Sequence, residues 1–194
     1  MKKVSVYEAL NDKYYREVLT NIIEAIKNGE YKNLVEEIRG LLVAGKKKQA
    51  EETMKRLPWF TPSGILDEEF CGDPILEYSG LVTIEIEGVY APTAQKLFYM
   101  IESIKTTFCW FQSLDVNRIT ILAAVASDSW DHEDAFSRVG NFYARTLDKK
   151  VEPGFINITK PCYFSYSPQL YLNPNCEKFE IFPDDEYYSE PSND

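Results

Sequence analysis

Tyr15, Leu19, Ile22, Ile23 and Ile26 recur at intervals of three and four residues, one stripe of an amphipathic helix that Asn28-Gly29 brings to a stop. Leu34, Ile38, Leu41 and Leu42 repeat that spacing and predict a second helix closing near Ala44-Gly45. The segment KKKQAEETMKRL predicts a third, short and strongly charged. Each helix has a single apolar stripe, so all three need a partner surface, and a sheet built from later residues is the expected one.

The pattern changes at LPWFTPSG (57–64), where two prolines, two aromatics and a Ser-Gly end predict a short extended segment and a turn. ILDEEFCGDPI reads as loop. Residues 78–87, YSGLVTIEIE, then alternate: Val82, Ile84 and Ile86 face one way, Thr83, Glu85 and Glu87 the other, and Gly88 ends the strand. Pro92 opens a helix lined by Leu97, Phe98, Ile101 and Ile104. Two β-rich runs, 107–113 and 118–125, flank LDVN and predict a hairpin with a polar tip. Helix-start residues fill 127–134, and Ala135, Phe136, Val139, Phe142 and Tyr143 form the apolar side of the next helix. After Pro153-Gly154, residues 162–166 read as a strand, with shorter candidates at 170–172 and 179–182. Beyond the first helices the order is β-α-β-β-α-β, the split arrangement of ferredoxin-like and RRM-like sheets.

The expected fold is therefore α+β, with N-terminal helices packed on a mixed or antiparallel sheet. Its predicted divisions are a helical layer at 1–56, the α+β domain at 57–182 and an acidic disordered tail at 183–194. A hydrophobic share of 44% supports a real core. No apolar run approaches the roughly 18–20 residues that cross a bilayer, and the N-terminus meets acids before any signal-type stretch forms. A cytoplasmic protein with no membrane partner is expected. The four cysteines are widely spaced and read as reduced, mostly buried thiols.

Charge narrows the partners. The net of −10 argues against broad electrostatic attraction to nucleic acid. Residues 1–56 carry +3, however, and residues 57–182 about −8, so any basic surface has to be local. Lys46, Lys47 and Lys48 could touch phosphate, or they are a solvated helix start.

Glu85 and Glu87, at i and i+2 on one strand, point to the same face, and their oxygens suit Mg²⁺ or Mn²⁺. The plain alternative is a solvated Thr-Glu-Glu face. The only histidine, His132, is expected at the surface in a helix's first turn, where Asp131, Glu133 and Asp134 would raise its pKa; a catalytic role is the alternative. Tyr163, Tyr166 and Tyr171 could stack bases on a sheet face, or pack in core and rim.

LPWFTPSG, YSGLVTIEIEG, FQSLDVNRITIL, DHEDAFSRVGNFYA and NITKPCYFSYSPQLYLNP occur in an order that resembles the VirE N-terminal-like domain of bacterial mobile-element proteins, over roughly residues 50–182. That family is related to archaeo-eukaryotic primases and primase-polymerases, often ahead of a helicase-like region. The resemblance implies a primase-like sheet with Glu85 and Glu87 at the positions of two metal-binding aspartates. It places Ser113 and Arg118 at a phosphate-cradling hairpin, here without glycine and with Asp115 at its tip. It places Asn157 where a third metal-binding aspartate stands, Lys160 where an arginine stands, and Ser167 at the aspartate of an SYDP motif. Losing the third carboxylate and the hairpin glycines implies a catalytically degenerate domain, kept to bind nucleic acid or protein in mobile-element replication or mobilisation. The alternative it implies is an active nucleotidyl transferase using Glu85, Glu87 and Mg²⁺ or Mn²⁺. DNA or nucleotide and a helicase-type protein are the implied partners.

Overall fold

Val82, Ile84 and Ile86 are fully buried, and the strand that carries them organises the molecule. The computed structural model describes residues 1–8, 14–67, 74–89 and 94–181. The elements, in chain order, are β1 (Lys3–Tyr7), β2 (Tyr14–Val18), α1 (Leu19–Asn28), α2 (Lys32–Val43), α3 (Lys47–Met54), β3 (Trp59–Phe60), β4 (Gly64–Leu66), β5 (Ile75–Tyr78) and β6 (Leu81–Glu87). They continue with α4 (Ala94–Ser103), β7 (Thr107–Gln112), β8 (Arg118–Ala126), α5 (His132–Leu147), β9 (Val151–Glu152), a 3-10 turn (Pro153–Ile156), β10 (Cys162–Tyr163), β11 (Tyr171–Leu172) and β12 (Phe179–Glu180).

The main sheet runs β11-β7-β8-β6-β9, antiparallel throughout, with β12 joined in parallel to the end of β8. Within it β6-α4-β7 and β8-α5-β9 each leave room for one strand of the other, so the split βαβ order is present and the fold is α+β. The helices cover the face of Ile84, where Phe98 of α4 stacks on Trp110 at 4.4 Å and Tyr143 of α5 meets the Thr107 hydroxyl at 2.8 Å.

A second sheet, β10-β3-β1-β2, contributes Val4, Val6 and Phe60 to the same buried cluster, together with Leu19, Ile22, Ile23 and Ile26 of α1. A smaller cluster of Val35, Ile38, Ala50, Leu57 and Leu114 ties α2 and α3 to the tip of the β7–β8 hairpin.

Four expectations change. β1 and β2 pair antiparallel, so Tyr15 belongs to β2 and the first helix starts at Leu19. Val4 and Val6 alternate with Ser5 and Tyr7 at period two, and that pattern prevails over Tyr15's chance match to the helical stripe. The strand expected at 78–87 is two strands in different sheets, broken at Gly80, whose φ of 66° turns the chain. Residues 65 and 75, read as the ends of a loop, lie in β4 and β5, which pair with each other. The fourth strand of the split unit is the short β9, whereas Cys162–Tyr163 crosses to the second sheet and pairs with β3. Pro92, Cys71, Phe182 and the acidic tail at 183–194 lie outside the described residues.

Gly64 is set by its surroundings. Its φ is +149°, and a Cβ there would come within 2.0 Å of the Glu77 carbonyl oxygen on β5.

Candidate functional site

The C-terminal end of β6 lies between the start of β8 and the short β9. Register places Glu87 opposite Arg118, and Glu85 between Thr120 on one side and Glu152 on the other. Alternation then turns Glu85 and Glu87 to one face, as the i, i+2 spacing predicts. Between them sits Arg118. Its Nη1 is 3.3 Å from Glu85 Oε2, its Nη2 binds Glu87 Oε1, and its Nε is 3.6 Å from Asp115 Oδ2. The Glu85 side chain is 20% exposed and Arg118 31%, so the clasp is partly shielded from water. Burial on its own would lower the guanidinium pKa; Glu85, Glu87 and Glu152 together reverse this and raise it.

Glu152 is the member that sequence reasoning missed. It stands beside Glu85 on β9 and pairs with Lys150 at 3.0 Å. Its carboxyl is held below the usual range, chiefly by the Lys150 hydrogen bond. A two-residue strand after a helix leaves too little pattern to find. The edge thus gathers Glu85, Glu87, Glu152 and Asp115 around Arg118 and Lys150. Among the described residues no group of three or more His, Cys, Asp or Glu is arranged to hold a metal ion. With the guanidinium laid across both glutamates, the donor set as it stands suits an ion-pair network better than a divalent cation.

The hairpin tip satisfies itself. The Ser113 N–H donates to the Arg118 carbonyl at 3.1 Å, the Arg118 N–H to the Asp115 carbonyl at 3.0 Å, and the Asn117 N–H to Asp115 Oδ1 at 2.9 Å. Ser113 Oγ is buried against Thr120 Oγ1 at 2.8 Å. These groups are committed within the protein, and the carboxylate at the tip is an Asx turn. Asn157 and Lys160 are engaged in a turn of their own. The exposed Asn157 accepts from the Thr159 N–H and hydroxyl at 3.0 and 2.9 Å, and its carbonyl accepts from the Lys160 N–H at 3.0 Å. No hydrogen bond or ion pair links either residue to Glu85, Glu87 or Arg118 among the described residues.

His132 is 2% exposed, which corrects the expected surface position. Tyr78 Oη lies 3.0 Å from Nδ1, and the Phe155 carbonyl oxygen 3.3 Å from Nε2. Burial lowers its pKa, and the contributions of the Phe155 carbonyl and Glu133 do not reverse that direction. The helix begins under the loop that carries Phe155, which shields the ring from the solvent its acidic neighbours face.

Arg39, not singled out by the sequence, reaches from α2 to the base of the β7–β8 hairpin tip. Its Nη2 donates to the Ser113 and Tyr166 carbonyls at 2.9 Å each and to Ser165 Oγ at 3.2 Å. Its position four residues after Val35 on the apolar flank of α2 was the available signal. Tyr163 and Tyr166 pack against the smaller core and Tyr171 against the larger, so packing accounts for all three. Lys46, Lys47 and Lys48 are exposed at the α2–α3 turn. Cys109 and Cys162 are free and buried, with thiol pKa values raised by burial.

A family model described as BT4734-like, N-terminal domain, matches residues 52–172, well over half of the chain. The chain belongs to this family. The BT4734-like span contains the whole main sheet except β12, both helices that cover it, and the clasp; β1, β2, α1 and α2 precede it. No curated protein matches the chain, and no solved structure does. Among the described residues no helix is long and apolar enough to cross a membrane.

Proposed function

We propose that this BT4734-like chain is a catalytically degenerate relative of primase-polymerase domains, of the VirE N-terminal-like kind, retained to bind nucleic acid in the replication or mobilisation of mobile DNA. The observation that carries the reading is Arg118 bound to Glu85 and Glu87 together. Two-metal phosphoryl chemistry needs open carboxylates and a third anionic ligand close by. Here a fixed cation takes the place next to the pair, and Asn157 is occupied in its own turn. The strand order β7-β8-β6-β9 supports descent from such a sheet, with the carboxylate pair at its expected edge.

One observation favours the rival, an active nucleotidyl transferase. Glu152 stands next to Glu85 and could replace the missing aspartate if Arg118 and Lys150 swung away. A single experiment separates the two. The purified chain is given a primed template, nucleotides and Mg²⁺ or Mn²⁺, and single-stranded DNA binding is measured in parallel. The proposal expects binding without incorporation. Incorporation that disappears in Glu85→Gln would establish the rival, and absence of both binding and incorporation would leave protein binding as the function.

A further inference from the structure

The outer face of the second sheet carries a row of aromatic side chains. Register sets Tyr14 on β2 opposite Tyr7 on β1, Tyr7 opposite Trp59 on β3, and Trp59 opposite Tyr163 on β10. Directly opposed residues share a face, and this one is opposite to the buried Val6, Phe60 and Cys162. Tyr7 and Trp59 are stacked 3.9 Å apart and within 8° of parallel; Tyr14 continues the stack at 5.9 Å and 26°. The row is anchored at one end, where Tyr163 packs against the smaller core. It is open at the other. Tyr14 is 43% exposed on an edge strand, and no ring beyond Tyr7 covers it among the described residues.

Charge selects the occupant. On this face β1 contributes Lys3, Ser5 and Tyr7, and β2 contributes Tyr14, Arg16 and Val18, so these two strands set two cations and no acid on it in a chain of net charge −10. Ser5 is buried beneath β4, where it accepts from the Leu66 N–H at 3.0 Å, so Lys3 is set off from the row. Arg16 is not: it is exposed, two residues along the strand from Tyr14, and makes no ion pair among the described residues. An aromatic stack with an open end and an unpaired guanidinium beside it is the recognition chemistry of single strands, in which bases stack and the backbone phosphate meets the cation. Tyr7 and Trp59 are stacked on each other, so the face left for an incoming base is the open side of Tyr14, with Arg16 beside it for the adjoining phosphate.

We infer that the Tyr14–Tyr7–Trp59 row, with Arg16, is a stacking site for single-stranded nucleic acid. The inference rests on the nucleic-acid-binding reading above and gives it a location, away from the Arg118 clasp and largely outside the residues the family model covers.

The test uses the full chain and a labelled oligothymidylate of about 12 nucleotides, read by fluorescence anisotropy. Tyr14→Thr keeps a strand-forming residue at an exposed edge and is expected to weaken binding about tenfold. Arg16→Gln is expected to weaken it and to lower the salt slope by about one. In a Trp130→Phe background, which removes the most exposed tryptophan, saturation is expected to quench Trp59. Photocrosslinking with 4-thiothymidine in the same oligonucleotide is expected to label β1, β2 or Trp59. Binding that survives both substitutions unchanged, or crosslinks confined to the β6–β8 edge, overturns the stacking site and leaves the broader reading intact. Equal affinity for duplex of the same length also overturns it. A wild-type chain that binds no single strand overturns both.

Discussion

Tyr78 Oη and His132 Nδ1 lie 3.0 Å apart, and with the Phe155 carbonyl on Nε2 they fix the imidazole as the neutral ring protonated at Nε2. Tyr78 donates, because the Phe155 carbonyl can only accept the Nε2 proton and leaves Nδ1 as an acceptor; burial pushes the phenol pKa up to about 12. A strand of the smallest sheet, the start of α5 and the 3-10 turn are thereby held at one point.

This hub makes stability depend on pH. The folded pKa of His132 is lowered from 6.5, so between 6.5 and that lower value the unfolded chain binds the extra proton. Its contribution is complete above 6.5 and is lost as pH falls through the window. Urea midpoints are expected to drop between about pH 7.5 and pH 5.5, with a shallower drop in His132→Gln.

Arg39 is expected to matter more than any surface charge. Replacing it with Met leaves the Ser113 and Tyr166 carbonyls without their donor, and a loss of about 3 kcal/mol is expected in denaturant unfolding. Arg39→Lys is expected to restore part of it, since all of these bonds leave one nitrogen, Nη2, whose place an ammonium can take.

The clasp is partly exposed, so its energy is modest. A double-mutant cycle over Arg118→Gln and Glu87→Gln is expected to give a coupling of about 1 kcal/mol or less, falling as salt is raised. A coupling that does not respond to salt would mean the pair is far better shielded than its exposure implies.

Gly64→Ala tests the packing of β4 on β5. The added methyl would strike the Glu77 carbonyl, and φ at this position is one that side chains rarely adopt. A destabilisation above about 2 kcal/mol is expected in thermal or urea unfolding.

Long periodic runs were legible in the sequence. The apolar stripes of α1, α2 and α5 and the alternation of Leu81–Glu87 each repeat a single period for long enough to be read. What escaped depended on partners. β9 has two residues and becomes a strand only because β6 leaves an edge open to it. The placement of Cys162–Tyr163 follows from β3, a hundred residues earlier in the chain, and not from its own aromatic pattern. His132 was misjudged for a related reason: its acidic neighbours are local, whereas the Tyr78 hydroxyl and Phe155 carbonyl that enclose it come from elsewhere. At the candidate site, i, i+2 spacing brought out Glu85 and Glu87. Their tie to Arg118 is a cross-strand fact that spacing along one strand does not contain.

The second sheet is assembled from chain segments at 3–7, 14–18, 59–60 and 162–163. One inner strand, β1, is the first of the four to be made and the edge strand β10 is the last, so the sheet closes over the chain like a belt with its buckle near the N-terminus. A fragment limited to residues 52–172 would keep β3 and β10 but lose their neighbour. Phe60 would then sit at a raw edge without Val6 beside it, and the inner surface of the main sheet would lose α1. The recognisable family span is thus shorter than the unit that can bury its own core.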